Sequence, residues 1–509
     1  MDVTQILMLI TILVYLAAMV GIGAVLAKQN QTTDVFYLGG RTLGPLVTAM
    51  SAEASDMSSW LLMGLPGVAY LSGTADAAWT AIGLAIGTYV NWLVVAKRLR
   101  NYTHVCGNST TLPLFFSNRY RDNKRILSVI AALLIIIFFV PYTASGFAAC
   151  GKLFANLFGM DYLPAMLISA IVIVAYTTLG GFLAASTTDF VQSIVMTIAI
   201  VVVFGFGISK VGSFSAVMDN AKSMAGYFSL THTHDVATGT ASPYSLLQIF
   251  STLAWGLGYF GMPHVLLRFM AIGDANKLKL SRRVATVWVV ISMAVSVFIG
   301  VIGNAMTKAG VLPTLKDPET IILVVADLIS KHGVLATIIA GLILAGILAA
   351  TMSTADSQLL AASSSASQNI LKEVFMKDMS EKTGMLIARI TVLVIALIGV
   401  FIARNPDSSV FQIVSFAWAG FGASFGPLVL LALFWKRSTF QGALCGMVSG
   451  GVMVFVWKFL IRPMGGALGI YELLPAFLLG LAVNVIVSLL TPAPSREVQD
   501  EFDKVASMK

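Results

Sequence analysis

The sequence predicts an all-α integral membrane protein with about thirteen transmembrane helices in a single domain, and three observations lead to this prediction. Only 11% of the 509 residues are charged while 57% are hydrophobic, whereas soluble domains contain about 25% charged residues. The apolar residues fall in runs of about 20, the length that crosses a hydrocarbon core of about 30 Å. Two of these runs are interrupted by polar residues, Gly and Pro. This composition excludes an ordinary soluble enzyme.

A hydropathy scan with a window of about 19 residues separates thirteen candidate spans. They lie near residues 5–27, 45–71, 76–97, 126–152, 162–180, 188–212, 244–268, 284–307, 333–356, 384–403, 409–435, 440–460 and 472–491. The connections are mostly short and contain no Pro-rich or Ser-rich linker. We therefore expect one membrane domain over residues 1–509, with residues 492–509 as a tail.

The distribution of basic residues predicts the orientation of the chain. With the N-terminus outside, 23 of the 32 Lys and Arg residues fall in inner connections, including the group from Arg268 to Arg283. Because cytoplasmic loops carry the excess of Lys and Arg, the N-terminus is expected outside and the C-terminus inside. The net charge of +8 is then a topology signal, and we expect no nucleic-acid partner.

Cysteine and histidine patterns point to no metal or redox chemistry. The three cysteines are widely spaced and form no CxxC pair, so neither a disulfide framework nor a zinc site is expected. His232 and His234 lie in the longest outer segment, near residues 213–243. A metal site there is conceivable from the spacing, but a solvated turn in a Thr-rich loop is the favoured interpretation.

The second span carries acidic and hydroxyl residues at its centre. Glu53 and Asp56 lie among four serines, although a carboxylate at the bilayer centre costs about 2.5 to 3.5 kcal/mol on insertion scales. We expect an unwound stretch near 54–57 that exposes carbonyl oxygens, the ligands that a hard cation requires. The alternative is a polar seam between packed helices.

The seventh and ninth spans contain the other unusual features. Glycines and Pro263 break the seventh span, where Trp255 and Tyr259 are one helical turn apart and could hold an organic zwitterion; an interfacial belt or core packing is the alternative. In the ninth span, the Ala350 carbonyl and the Ser353 and Thr354 hydroxyls can converge from one helix face, unless those hydroxyls only bond to the preceding turn.

The two interrupted spans are five spans apart. Paired broken helices at corresponding places in two halves indicate a transporter built from inverted repeats, with its site at the membrane midplane. We expect a ten-helix core of two repeats, at 45–212 and 244–435, with peripheral helices at 5–27 and 440–491.

Seven motifs, in order along the chain, resemble those of the sodium:solute symporter family, in particular its bacterial sodium/proline symporters. They are LGGRTLGP, SAEASDMSSWLLMGLPG, FVPYTASG, LGGFLAASTTDFVQS, WGLGYFGMPHVLLRFMA, AGILAATMSTADSQLL and AWAGFGASFGP. The resemblance implies the LeuT-type 5+5 inverted-repeat fold with discontinuous helices. It also implies symport of Na⁺ and L-proline into the cell across the bacterial inner membrane, by alternating access and without an obligatory protein partner.

The resemblance also implies roles for individual residues. The sodium site would comprise the carbonyls of Ala54, Met57 and Ala350 and the hydroxyls of Ser353 and Thr354, with Asp56 and Asp189 as sodium-linked acids and Asp189 at the inner start of the sixth span. The substrate contacts would be made by Ser58, Tyr142, Trp255, Tyr259 and Pro263. Arg41, ahead of the broken helix, would be a gating or coupling residue.

Two residues depart from the family pattern. Glu53 and Ser59 stand where the related symporters have Gly. If Glu53 faces the cavity, it adds a proton or cation site to the gating and coupling residues; if it faces a helix interface, it is a neutral, hydrogen-bonded acid. The first possibility puts strict dependence on sodium in doubt.

Other functions compete with proline symport. A sodium symporter of the same family could carry pantothenate, a sugar or another amino acid. A membrane enzyme is disfavoured because no HExxH or P-loop motif occurs and the five histidines are scattered. An ion channel would lack a saturable substrate pocket.

Overall fold

The computed structural model describes residues 2–29, 32–376, 379–405 and 409–508. The helices of the first half are α1 (Val3–Ala27), α2 (Thr33–Leu38), α3 (Pro45–Asp56), α4 (Leu65–Ser72), α5 (Thr74–Val90), α6 (Ala96–Val105), α7 (Leu112–Arg119), α8 (Ile126–Phe158), α9 (Tyr162–Val211) and α10 (Phe214–Ser223). Those of the second half are α11 (Leu246–Leu253), α12 (Pro263–Ala271), α13 (Leu278–Lys308), α14 (Ile321–Ser330), α15 (Val334–Ser364), α16 (Glu381–Ile402), α17 (Val410–Phe434), α18 (Phe440–Val456), α19 (Leu473–Leu490) and α20 (Arg496–Ser507). Strands β1 (His232–His234) and β2 (Ala241–Pro243) form an antiparallel hairpin.

The chain is a multi-pass membrane protein. Ten helices of its described part are long and apolar enough to cross a bilayer. The other three predicted spans are the interrupted pair α3–α4, the interrupted pair α11–α12 and the first part of α9, which bends at Gly181 where φ is 58° and ψ is −163°. The thirteen predicted spans therefore all correspond to helical segments.

The two interrupted spans break where the sequence changes character. Helix α3 ends at Asp56, Met57 has φ −77° and ψ 70°, and a π-helical turn begins at Trp60. The break is thus centred on 57–59, about three residues after the predicted position. In the other span, α11 gives way to a 3₁₀-helix over Ala254–Gly261 before α12 begins at Pro263. Pro is well placed at the start of α12, where its missing N–H needs no partner.

Helix α15 is longer than its predicted span. The prediction ended at residue 356, but the helix continues to Ser364 and then as a π-helix to Phe375. Serine hydroxyls explain the difference because they remain inside the helix by bonding to the preceding turn: Ser364 and Ser365 both donate to Ala361 O, at 2.9 Å. Asp356 is therefore inside a buried helix and not near its end.

Two opposite faces can be defined from the helix of 32 residues, Thr74–Val105, that includes α5 and α6. At 1.5 Å per residue it is about 48 Å long. The β1–β2 hairpin segment lies at its first end, where Thr74 N donates to Tyr227 O at 2.8 Å. Helix α20 lies at its other end, where Phe502 is 6.3 Å from Tyr102 between ring centroids. We call these ends the hairpin face and the C-terminal face. The solvated turn predicted around His232 is instead a β-strand of this hairpin.

Glycines allow the 3₁₀-helix of residues 254–261 to lie directly against its neighbours. A Cβ atom on Gly256 would be 2.2 Å from Gly83 O, and one on Gly258 would be 2.0 Å from Trp418 Nε1. A side chain at either position would force the neighbouring helix outward. Because Gly256 and Gly258 have no side chains, α5 and α17 can pack directly against two sides of the break.

Helices α18 and α19, predicted as peripheral, pack against α17 of the core. A Cβ on Gly450 would be 2.2 Å from Ala423 O, and one on Gly426 would be 2.5 Å from a ring carbon of Phe477. The segment before α19 also reaches α11, because Tyr471 N donates to Ser251 Oγ at 2.8 Å. This helix pair therefore contacts the interrupted span itself.

Candidate functional site

The end of α3 contacts the middle of α15, and this contact brings together three of the predicted sodium ligands, Ala54, Ala350 and Ser353. Ser353 Oγ lies 2.8 Å from Ala54 O and 3.2 Å from Ala350 O. Thr354 is 2% exposed, and its hydroxyl has no hydrogen-bond partner within the described structure. Met57, at the break, is fully buried. Two carbonyls and the Ser353 hydroxyl thus meet in a dry region between the helices, and the buried Thr354 hydroxyl is on the next residue of α15.

Such a donor set suits a hard monovalent cation better than a transition metal. Among the described residues no group of three or more His, Cys, Asp or Glu side chains could hold a metal ion. The oxygens at the α3 break are instead neutral carbonyl and hydroxyl groups in a site shielded from water. Unwound carbonyls at a broken helix are what transporters use to coordinate Na⁺, which would be carried through this site as cargo.

Asp56 links the two broken helices. Its Oδ2 accepts a hydrogen bond of 2.5 Å from the Tyr259 hydroxyl, while Oδ1 is buried without a hydrogen-bond partner within the described structure. The Asp56 carbonyl, freed by the end of α3, accepts from Trp60 Nε1 at 3.1 Å and Tyr142 OH at 3.4 Å. Tyr142 OH also lies 3.5 Å from Ser58 Oγ. The carboxylate therefore lies at a junction of both breaks.

Trp255 lies inside a cluster of aromatic rings. Its ring centroid is 5.5 Å from that of Phe411, 6.1 Å from Trp60 and 6.3 Å from Trp418. Tyr259 meets Trp418 edge to face at 5.0 Å. The predicted substrate residues Trp255, Tyr259, Ser58 and Tyr142 are all buried near the breaks, and Pro263, also buried, begins the helix that follows. This wall of rings suits the apolar body of a small organic molecule.

Glu53 bonds to the π-helical turn after α5 through one carboxylate oxygen, while its other oxygen, Oε2, is buried without a hydrogen-bond partner within the described structure. Its Oε1 accepts a hydrogen bond of 2.8 Å from Trp92 Nε1, and the residue is fully buried. The adjacent Asn91 donates through Nδ2 to Tyr259 O at 3.1 Å. The π-helical turn at 91–95 is therefore bonded to both broken spans, one through each of these residues.

A buried ion pair lies on the C-terminal side of the break. Arg268 Nη2 is 3.1 Å from Asp189 Oδ2, and the two side chains are 1% and 0% exposed. Ser51 Oγ donates to the same carboxylate oxygen at 2.6 Å, and Arg268 Nη2 donates to Ser357 Oγ at 2.5 Å. Ser357 in turn donates to Asp356 Oδ1 at 2.9 Å. This network joins α3, α9, α12 and α15.

The sequence-based assignments of this region need two corrections. Arg268 is inside α12 and buried, so its inclusion among the loop residues that set the orientation was wrong. The sixth span is the part of α9 that follows the bend at Gly181, so Asp189 lies inside a helix rather than at its start. The signal that could have identified Arg268 was a charged residue directly after an apolar run with no turn residue between them.

Arg41 bonds to a different set of residues from the buried ion pair. It has a left-handed backbone, with φ 57°, and its guanidinium bonds to Met270 O at 2.6 Å, Ser109 O at 2.8 Å and Asn108 Oδ1 at 3.1 Å. It thus links the segment before α3 to the end of α12 and to the α6–α7 connection, on the C-terminal face.

We expect Arg268→Met to lower the thermal stability of the detergent-solubilised protein. Removing one partner of a buried ion pair costs about 3–5 kcal/mol because the other charge is left unpaired. Adding Asp189→Asn should recover part of the loss, whereas Arg404→Met, at an exposed position, should change little. Melting temperatures of the four proteins test this, and an unchanged value for Arg268→Met would contradict the pairing.

Curated relatives are similar to the chain over almost its whole length. The osmoregulated proline transporter OpuE of Bacillus subtilis is 40% identical over 489 residues, which cover 96% of each chain. A sodium/proline symporter of Salmonella typhimurium is 41% identical over 502 residues, covering 98% of this chain and 96% of its own. The similarity thus includes the residues of both broken spans.

Solved structures share the fold. A Na⁺-coupled sialic acid symporter, in a substrate-bound outward-open state, superposes with a TM-score of 0.79 at 19% identity, covering 96% of this chain and 99% of that one. A nucleobase-cation-symport-1 family transporter superposes with a TM-score of 0.53 at 12% identity, covering 92% and 98%. The predicted LeuT-type architecture with discontinuous helices is confirmed. The profile of the sodium:solute symporter family matches residues 36–450, and the chain belongs to this family.

Proposed function

We propose that the chain is a sodium-coupled symporter that carries L-proline into a bacterial cell by alternating access. The observation that supports this most is the contact between the α3 break and α15, where Ser353 reaches Ala54 O at 2.8 Å. Relatives at 40–41% identity are named as proline transporters or sodium/proline symporters. The chain is a transporter and not an enzyme.

In this proposal, Na⁺ binds where the two helices meet. The ligands would be the carbonyl oxygens of Ala54, Met57 and Ala350 with the hydroxyls of Ser353 and Thr354. Asp56 would act as the nearby acid, because its Oδ1 is buried and has no hydrogen-bond partner within the described structure. The hydroxyl of Ser353, now donating to two carbonyls, would turn its lone pairs to the ion.

The substrate would bind beside the ion. The carboxylate of proline is suited to backbone N–H groups freed at the α11–α12 break, since a helix N-terminus favours a negative charge. The ring of proline would lie against Trp255 and Tyr259, with Tyr142, Ser58 and Pro263 nearby. Asp56 accepts from Tyr259, so ordering of the ion site by Na⁺ would also order the substrate site, which is positive coupling between two ligands.

Asp189 and Arg41 would act on the path toward the inside. The ion pair of Asp189 with Arg268 lies on the C-terminal side of the sodium ligands, and Arg41 holds the entrance to α3. Glu53, which bonds to Trp92, would support the position of the break. This favours the interpretation of Glu53 as a hydrogen-bonded acid at a helix interface.

The energetics are sufficient for accumulation. One sodium charge that moves down a potential of about 100 mV contributes about 2.3 kcal/mol. Because about 1.4 kcal/mol corresponds to a tenfold ratio, one ion could concentrate a neutral zwitterion roughly fiftyfold. A second solute class, such as pantothenate, a sugar or another amino acid, is the alternative, and competition against labelled proline separates these substrates.

We further propose that the C-terminal face is cytoplasmic and that the core divides into repeats at 45–212 and 244–435. The basic connections between α6 and α8 lie on the C-terminal face, where Arg121 pairs with Glu501 of α20 at 2.9 Å. Removing Arg268 from the count of Lys and Arg residues in inner connections leaves the proposed orientation unchanged. Two other residues in that count, Lys377 and Lys509, lie outside the described residues.

We expect a single cysteine at Thr238, in a cysteine-free background, to react with a membrane-impermeant maleimide in intact cells. A cysteine at Lys504 should react only after the membrane is opened, because it lies on the opposite face. Gel-shift labelling measures both. The reverse pattern would invert the proposed orientation.

We expect the purified protein in proteoliposomes to accumulate labelled L-proline only when an inward Na⁺ gradient is imposed. A K⁺ gradient of equal size is the matched control, and added unlabelled pantothenate, glucose or glutamate should not compete. Uptake measured by filtration decides between solutes. Equal uptake with and without Na⁺ would rule out sodium coupling.

We expect Asp56→Asn to raise the Na⁺ concentration for half-maximal proline uptake by at least about tenfold, the equivalent of about 1.4 kcal/mol for one charge-assisted contact. Asp219→Asn, at an exposed site on α10, is the matched control and should match the wild type. Uptake rates over a sodium series give the half-saturation values. An unaltered value, with normal amounts of protein in the membrane, would refute the role of Asp56.

A further inference from the structure

Tyr471 lies outside the ten-helix core and yet contacts the centre of the aromatic cluster. It precedes α19, in the helix pair that the sequence places at the periphery. Its ring is stacked on that of Trp255, with centroids 5.1 Å apart and an angle of 20° between the planes. Of the four rings around Trp255 this one is the closest and the most nearly parallel.

Two hydrogen bonds hold Tyr471 in place against the core. Its hydroxyl donates to Ser415 O in α17 at 2.6 Å, and its backbone N donates to Ser251 Oγ in α11 at 2.8 Å. The residue is 8% exposed. The backbone of Tyr471 is therefore bonded to α11 and its hydroxyl to α17, which together fix the position of the side chain next to Trp255.

The next residue anchors the whole segment. Glu472 is fully buried, and its carboxylate meets Arg462 Nη1 at 2.7 Å and Lys458 Nζ at 3.5 Å. Both cations follow α18 in the chain. The connection between α18 and α19 is thereby closed into a loop that presents Tyr471 to Trp255 from outside the two repeats.

Simple packing of the extra helices does not account for this ring. Leu473 and Phe477, further along α19, already fill the space above Gly422 and Gly426 of α17. The two glycines that they contact, Gly422 and Gly426, are not among the proposed substrate residues. Tyr471 instead lies against the face of Trp255, the ring proposed to meet the apolar body of the substrate.

We propose that Tyr471 is a positioning residue that sets substrate affinity and ring-size selectivity by fixing the orientation of Trp255. This inference rests on the proposed function, in which Trp255 contacts the substrate. A parallel ring on one face of Trp255 leaves only its other face and edges for ligand contact, and it opposes rotation of the indole toward larger rings. The helix pair outside the inverted repeats would then be a part of the substrate site.

The test compares Tyr471→Leu with Tyr471→Phe in sodium-driven proline uptake. Tyr471→Leu should raise the KM for proline about tenfold, the upper end for loss of one aromatic pair, with little change in maximal rate. It should also weaken the preference for proline over its six-membered-ring homologue. Tyr471→Phe keeps the stacked ring and should stay within about twofold of the wild type. Tyr89→Leu, which removes a ring that is 44% exposed, is the matched control.

Two further measurements separate positioning from a structural role. Na⁺ titration without proline, followed by tryptophan fluorescence, should give the same half-saturation in Tyr471→Leu and wild type. In a Trp255→Leu background, Tyr471→Leu should add less than about twofold to the KM, since its effect acts through Trp255. If Tyr471→Leu does not reach the membrane, Tyr471→Ile, which also lacks an aromatic ring, replaces it with the same expected values.

A KM for Tyr471→Leu within twofold of wild type would overturn the inference, as would equal harm from Tyr471→Phe or an additive effect with Trp255→Leu. Any of these three results would leave the proposed function intact, because the wild type would still show sodium-driven uptake. Absence of that uptake in the wild type would instead reject the proposed function.

Discussion

The structure depends on one constraint: in a bilayer, each backbone polar group that leaves a helix needs another partner inside the protein. Both interrupted spans meet this requirement through neighbouring side chains. Ser353 donates to Ala54 O, Asn91 donates to Tyr259 O, and Trp418 Nε1 donates to Trp255 O at 2.8 Å. These three donors come from different helices. The breaks can therefore exist only in the middle of the assembled bundle.

The same constraint explains the distribution of small and charged residues. Side chains reach the freed carbonyls only if the helices approach closely, and Gly256 and Gly258 allow this approach on two sides of the second break. The buried charges follow a related rule, because an unpaired charge in the membrane is costly. Asp189 is accordingly paired with Arg268, and Asp56 and Glu53 accept hydrogen bonds from Tyr259 and Trp92.

Much of the fold was predictable because hydropathy reports directly on membrane spans. All thirteen spans and both interruptions follow from runs of apolar residues broken by Ser, Gly and Pro. Helix ends were less predictable: the polar stretch after Asp356 reads as a loop, but its serines bond within the helix or to neighbours such as Ala388 O. The contacts of Arg268 and Tyr471 were not predictable, since their partners are distant in sequence. For the site, sequence motifs indicated which residues matter, and only the structure showed the hydrogen bonds among them.

The two broken spans are also joined to each other on the C-terminal face, by a short backbone bridge. Leu43 N donates to Ala271 O at 3.2 Å, and Gly273 N donates to Leu43 O at 3.0 Å. Arg41 adds a bond to Met270 O at 2.6 Å. With about 0.5–1.5 kcal/mol net for each bond, separating the two half-helices would cost several kcal/mol. These bonds tie the start of α3 to the end of α12, so a displacement of either half-helix on this face would carry the other with it.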